Sequence, residues 1–289
     1  MKTIAASIEN WQIQCHPDDG GRISVLQFAG YDLLTKNPLL FKPPDRNYGE
    51  YETRPVYGYD DCFPTVDSCQ YPDEKFICRD HGELCWQKWK VHVEGHRIIS
   101  VTECFRPKIT FKRTLEFKGN NLSWKFEVVN LSGQILPFMH VMHALMPLNE
   151  IRHFKLPGFH SILDENRKVG IDFKNPLELT AHLLNNKPGV FEMLLLKNVK
   201  QGIVSLDFRN GLILQIEYPT ELFPTLGIWW NNSGYPDEDG LQRCECAFEP
   251  IPGSSSNLYD SYTEGTYLMT EPGKTLNWEI NWRIEYPGN

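Results

Sequence analysis

Two histidines, His140 and His143, stand three residues apart inside the otherwise apolar run 136–148, LPFMHVMHALMPL. Two further places in the chain carry groups of matching chemistry: Asp80-His81-Gly82-Glu83 and Glu249-Pro250. An imidazole takes up and releases protons near neutral pH, and a carboxylate is a competent proton acceptor. The chemistry these segments could perform together is therefore proton transfer. A buried imidazole costs a few kcal/mol unless it is hydrogen-bonded, so each histidine of the run needs a partner elsewhere in the sequence. The run reads as one buried strand. Side chains alternate across a strand, so Met139, Val141 and His143 share one face and His140, Met142 and Ala144 the other. The two histidines are thus expected to serve different places, one of them as a satisfied core residue.

The elements that must position these groups read as β-strands. Leu122, Trp124, Phe126 and Val128 interleave with polar positions, as do Trp278, Ile280, Trp282, Ile284 and Tyr286 near the C-terminus. Residues 109–128 spell a hairpin around Lys118-Gly-Asn-Asn121, and residues 206–218 repeat the device around Arg209-Asn-Gly211. No convincing amphipathic helix is found, and the 20 prolines and 21 glycines are spread over the whole length. The expected fold is all-β, an antiparallel β-sandwich forming a single domain over residues 1–289. The longest stretch without alternation, residues 38–78, is rich in aromatics and is expected to pack over a site.

With 289 residues, 41% hydrophobic and 23% charged, the chain is that of an ordinary globular protein. A net charge of −8 and a pI near 5.6, without any run of Lys and Arg, argue against nucleic-acid and anionic-membrane partners. The N-terminal apolar stretch is too short for a signal peptide, and none approaches the roughly 20 residues of a spanning helix. A cytoplasmic location follows as the expectation. Its reducing conditions would keep the eight cysteines as thiols, with Cys244 and Cys246 as small residues on one strand face rather than a zinc clamp.

Several motifs, taken in order, resemble the galactose mutarotase-like superfamily, the aldose 1-epimerases and their relatives. They are Gly20-Gly21-Arg22-Ile23 with the Gly30-Tyr31 turn, Gly58-Tyr-Asp-Asp-Cys-Phe63-Pro64, Asp80-His81-Gly82-Glu83 with Trp89, residues 136–146, Cys246-Ala-Phe-Glu249-Pro250 with Gly253 and Asn257, and Pro272-Gly273-Lys274. The resemblance covers most of the chain and implies the sandwich fold of that superfamily. It further implies an enzyme that interconverts the α and β anomers of a hexose or hexose phosphate, with Glu249 as base, His143 as acid and His81 as a second donor to the ring oxygen. No cofactor and no metal are implied; the partner is a small-molecule sugar or sugar phosphate, and the oligomeric state is open.

The chain departs from the family pattern in three places. His-Pro-Tyr-Phe is here His143-Ala-Leu-Met146. The family's sugar-gripping aspartate falls at Gly189-Val-Phe-Glu192, which makes Glu192 the substitute, and Arg54 matches the family's arginine by spacing alone. Asp61 of the Gly-to-Phe-Pro loop and Trp230, of the pair Trp229-Trp230, complete the expected sugar-binding set. Arg22, Arg46, Arg54 and Arg79 are the candidates for holding a phosphate. Three other readings stay open at this point: a non-catalytic carbohydrate-binding module on the same fold, a glycosidase using the pair Glu83 and Glu249, and a metal site of His81, Glu83 and His143.

Overall fold

A computed structural model describes residues 2–44, 48–72, 76–236 and 242–286. Three large antiparallel sheets organise these residues. The eight-stranded sheet runs in the order Ile151–Lys155, Ile203–Phe208, Ile213–Glu217, Thr275–Glu285, Asn121–Asn130, Lys108–Lys118, Arg97–Phe105 and Lys90–Glu94. Both expected hairpins lie in it. Lys118 pairs with Asn121 across a tight turn in which Gly119 adopts a φ of 57°, and Asp207 pairs with Ile213.

The other two large sheets have six strands each. One runs Ile4–Ile8, Trp11–His16, Arg22–Phe28, Tyr59–Cys62 and Val141–Ala144, with Tyr31–Asp32 beside Arg22–Phe28. The other runs Met146–Pro147, Cys244–Ile251, Thr225–Asn232, Val190–Lys197, Ser161–Asp164 and Val169–Ile171. Both pack on the eight-stranded sheet through large apolar side chains, the first through Trp11 on Phe117 and Tyr59 on Trp124, the second through Trp230 and Phe248 on Phe154. Burying such rings supplies the hydrophobic driving force, of the order of 1.5–3 kcal/mol for each large side chain. The architecture is the all-β sandwich expected from the alternation.

Residues 136–148 do not form one strand. Leu136–Phe138 pairs with Leu268–Thr270, Val141–Ala144 closes the first six-stranded sheet, and after Leu145 the strand Met146–Pro147 opens the second. The break has a local cause: the Met139 amide donates to Pro64 O at 2.8 Å instead of to a ladder partner. The chain thus passes directly from the edge of one six-stranded sheet to the edge of the next, and His143 sits at that passage.

Two helices also depart from the expectation. Residues Pro176–Leu184 form an α-helix whose N-cap, Asn175, accepts from Leu177 N and Glu178 N at 3.0 and 3.1 Å, with Pro176 in the first helical position, where its missing N–H costs nothing. Leu179 and Leu183, four residues apart, are its buried leucines, with Thr180 buried beside them. Leu258–Thr263 is a shorter one. Among the described residues no helix is long and apolar enough to cross a membrane.

Candidate functional site

The site is built on strand register. Tyr59–Cys62 runs antiparallel to Val141–Ala144 with Cys62 opposite Val141, Asp61 opposite Met142 and Asp60 opposite His143. Alternation therefore divides two adjacent aspartates: Asp60 goes to the face of His143, and Asp61 to the opposite face. Glu249 lies on Cys244–Ile251 opposite Gly227, so it shares a face with Trp229 but not with Trp230. His143 Nδ1 meets Glu249 Oε1 at 2.8 Å, and both side chains are buried. That bond uses Oε1 alone, which leaves the second carboxylate oxygen of Glu249 outside it.

His81 reaches the same place from a loop. Its amide donates to Val66 O and the amide of Glu83 to Phe63 O, both at 2.6 Å, which pins the loop to residues 63–66. The pinning requires a φ of 58° at His81 and 72° at Gly82, where a Cβ would stand 2.1 Å from Phe63 O, so only glycine fits at the second position. The His81 ring stacks on Tyr51 at 3.9 Å and meets the His143 ring edge-on at 4.9 Å. Asp80 locks the orientation from behind, with Oδ1 2.9 Å from His81 Nδ1 and Oδ2 accepting from Tyr51 N at 3.2 Å.

The electrostatics follow from these contacts. Burial alone would lower the His81 imidazole, but the hydrogen bond and charge of Asp80, with Glu52 and Asp67 nearby, outweigh it and raise its pKa above the ordinary histidine value. Burial would raise Asp80, and the hydrogen bond and charge of His81 with the Tyr51 amide outweigh that and lower it. Burial raises the carboxyls of Glu52 and Asp67. Replacing Asp80 by Asn removes the charge that favours imidazolium. The midpoint of the His81 ring titration, followed by NMR, is expected to move to lower pH; an unchanged midpoint would mean that Asp80 does not hold the proton on His81.

These groups line a cavity of about 380 Å³. Phe191, Trp229 and Tyr235 form an aromatic wall, with Trp229 and Tyr235 perpendicular at 5.4 Å. Among the described residues five carboxylates border it, from Glu52, Asp67, Asp80, Glu165 and Glu249. Among the described residues the lysine and the arginine that line it are both committed: Lys168 Nζ pairs with Glu165 at 2.9 Å, and Arg243 pairs with Glu245 at 3.1 Å and with Glu52 at 3.7 Å.

The structure brings His81, His143 and Glu249 together and places four expected sugar-binding residues elsewhere. Asp61 is 0% exposed and bonds Arg113, Tyr59 Oη and, at 3.0 Å, His140 Nε2, so it is a core anion whose histidine partner is the other one of the run. Trp230 is 2% exposed and packs on Phe154; Trp229, one residue earlier, faces the cavity in its stead. Glu192 lies opposite Trp230, on that same far face, and accepts from His182 Nε2 at 2.8 Å, which ties it to the helix Pro176–Leu184. Arg54 stands one layer back, donating to Cys85 O and pairing with Asp19 and Asp60, and Asp60 in turn accepts from Tyr51 Oη at 2.6 Å.

The proposed phosphate arginines fare similarly. Arg22 is buried against Asp19 and Asp60, Arg79 lies near Glu50 and Glu83 outside the cavity lining, and Arg46 falls outside the described residues. Glu83 also stays out of the cavity, with Oε1 taking the Arg79 amide, which removes both the Glu83–Glu249 pair and the His81–Glu83–His143 metal set. Sequence reasoning missed Tyr51, Glu52, Asp80 and Trp229. Asp80 and Trp229 stood beside residues that were picked out, and Tyr51 lay in the aromatic segment expected to cover a site.

No protein-family model matches the sequence, and a search of curated proteins finds no match. Solved structures do match. The Slr1438 protein from Synechocystis sp. PCC 6803 superposes with a TM-score of 0.75 at 16% identity, over 98% of this chain and 96% of that one. A protein described as a putative aldose 1-epimerase from Escherichia coli gives 0.73 at 15% identity, over 99% of each chain. A galactose mutarotase related enzyme from Lactobacillus acidophilus gives 0.68 at 16% identity, over 98% and 97%. The chain has the galactose mutarotase-like fold.

Proposed function

We propose that this chain is a mutarotase-type epimerase that interconverts the α and β anomers of an unphosphorylated aldose. One observation carries the reading. Two histidines and a glutamate that are remote in sequence converge on one cavity, each histidine holding a carboxylate through Nδ1 and so keeping Nε2 for a ligand. In the reaction the second oxygen of Glu249, the one not bonded to His143, takes the proton of the C1 hydroxyl while the bond from C1 to the ring oxygen breaks. That electron pair remains on the ring oxygen, which takes a proton from His143, with His81 as a second donor. Rotation about C1–C2 and closure with the roles reversed gives the other anomer. Asp80 favours the charged, proton-donating form of His81, which suits a donor to the ring oxygen.

The cavity charge supports an unphosphorylated substrate. Among the described residues five carboxylates border the space, the lining lysine and arginine are paired, and the His81 ring is held by Asp80, so a phosphate would meet repulsion without an unpaired arginine or lysine to hold it. Carboxylates suit the hydroxyl groups of a sugar as acceptors, and the Trp229 wall suits its apolar face.

NMR exchange between anomers, run on freshly dissolved pure anomers of neutral aldoses and of their 6-phosphates, tests both parts. Accelerated exchange of one or more neutral aldoses, with little effect on the phosphates, is the expected outcome. Saturable sugar binding without exchange would replace the enzyme by a carbohydrate-binding module, and exchange confined to phosphates would overturn the substrate class.

A further inference from the structure

The proposed proton-transfer scheme leaves a thiol beside the histidines unused. Cys62 is fully buried and shares the strand face of Asp60 and His143, and its Sγ lies with one ring nitrogen each of His81 and His143 so that all three atoms are within 4.8 Å of one another. Both rings keep one nitrogen outside their carboxylate contacts. Their Nδ1 atoms are held by Asp80 and Glu249 at 2.9 and 2.8 Å, which places the lone pair of the neutral ring on Nε2 and supplies the carboxylate–histidine arrangement that fixes and strengthens imidazole ligands.

A tetrahedral zinc ion, with sulfur at about 2.3 Å and nitrogen at about 2.0–2.1 Å, separates such ligand atoms by about 3.3–3.6 Å. Side-chain rotations of roughly an ångström close the difference. A thiolate with two imidazoles is a borderline-soft set, suited to zinc, cobalt or cadmium and poorly suited to magnesium or calcium, which take oxygen ligands. The surroundings also favour a cation, because the Cys62 thiolate and the carboxylates of Asp80 and Glu249 together bring more negative charge than a divalent ion carries.

We propose that Cys62, His81 and His143 form a binding site for zinc or a similar thiophilic divalent cation, which occupies the sugar cavity and excludes the sugar. On binding, the Cys62 thiol gives up its proton to solvent and the two Nε2 lone pairs are taken by the metal. The ion is an inhibitor of the chemistry, which needs those nitrogens to carry protons. The inhibition rests on the epimerase reading, whereas the binding itself does not.

The test is a titration of reduced, chelator-treated protein with cobalt, followed by absorption, and with zinc, followed by calorimetry. One equivalent of cobalt is expected to give a thiolate-to-cobalt charge-transfer band with tetrahedral ligand-field bands. Cys62→Ser is expected to abolish the charge-transfer band, and both Cys62→Ser and His81→Asn to weaken zinc by at least about tenfold. Circular dichroism and melting of metal-free protein check that each variant folds, and His81→Asn carries the test where Cys62→Ser does not fold. Absence of the band in wild type, or zinc affinity unchanged in the folded variants, overturns the site. Cobalt bound with the charge-transfer band while zinc leaves anomer exchange untouched overturns the inhibition and leaves the metal site standing.

Discussion

Glu249→Gln is expected to lower turnover by roughly 10² to 10⁴ while changing sugar affinity little. The amide keeps the shape of the carboxylate, and its oxygen still accepts from His143 Nδ1, now 2.8 Å from Oε1, so the ring stays in place. What disappears is the acceptor for the C1 hydroxyl proton. His143→Asn should fall in the same range. His81→Asn should raise the Michaelis constant as well as slow turnover, because a donor to the ring oxygen contributes in the ground state too. Anomer exchange near the wild-type rate in a folded Glu249→Gln protein would refute the assignment of the base.

The second large effect concerns stability. Asp61→Ala should cost about 3–5 kcal/mol, read from denaturant unfolding, because it strands the fully buried Arg113 without its counter-charge and leaves Tyr59 Oη and His140 Nε2 without their acceptor. The Asp61 carboxyl responds to opposed influences: burial raises it, and Arg113 with the His140 and Tyr59 hydrogen bonds outweighs burial and lowers it. A carboxylate depressed in the folded state contributes stability that is present above its unfolded pKa and is lost as pH falls through the folded value. The variant should therefore lose acid sensitivity along with stability. A folded Asp61→Ala protein of wild-type stability with a raised Michaelis constant would return Asp61 to the sugar site.

These two residues also mark what the sequence can disclose. Alternation within the run 136–148 is enough to separate His140 from His143, and the structure does send them apart, one to Asp61 and the other to Glu249. Alternation cannot say which face of a neighbouring strand points the same way, because that depends on register across the ladder, and register is set by contacts between distant segments. Asp60 against Asp61 and Trp229 against Trp230 are both choices of this kind, each decided by one residue of offset. Glu192 missed the cavity for the same reason, being opposite Trp230. The helix Pro176–Leu184 is a different case. Its start, Asn175-Pro176 with Glu178 three residues after the cap, is a written signal, but a helix of nine residues with only two leucines on its buried line gives too short a period to stand out among strands.

The direct passage from Val141–Ala144 into Met146–Pro147 bears on the order in which the molecule can assemble. His143 belongs to the first six-stranded sheet and Glu249, 106 residues later, to the second, and the register that pairs Met146 with Cys246 continues to His143 opposite Glu249, so the ladder that closes the second sheet is also the one that brings the proton-transfer groups together. Closing a loop of that length is entropically unfavourable until the contacts it permits have formed, and folds dominated by such distant pairings mature slowly. A refolding intermediate that lacks this one ladder would therefore be inert, and recovery of turnover would report the pairing of Met146–Pro147 with Cys244–Ile251 rather than the formation of sheet elsewhere.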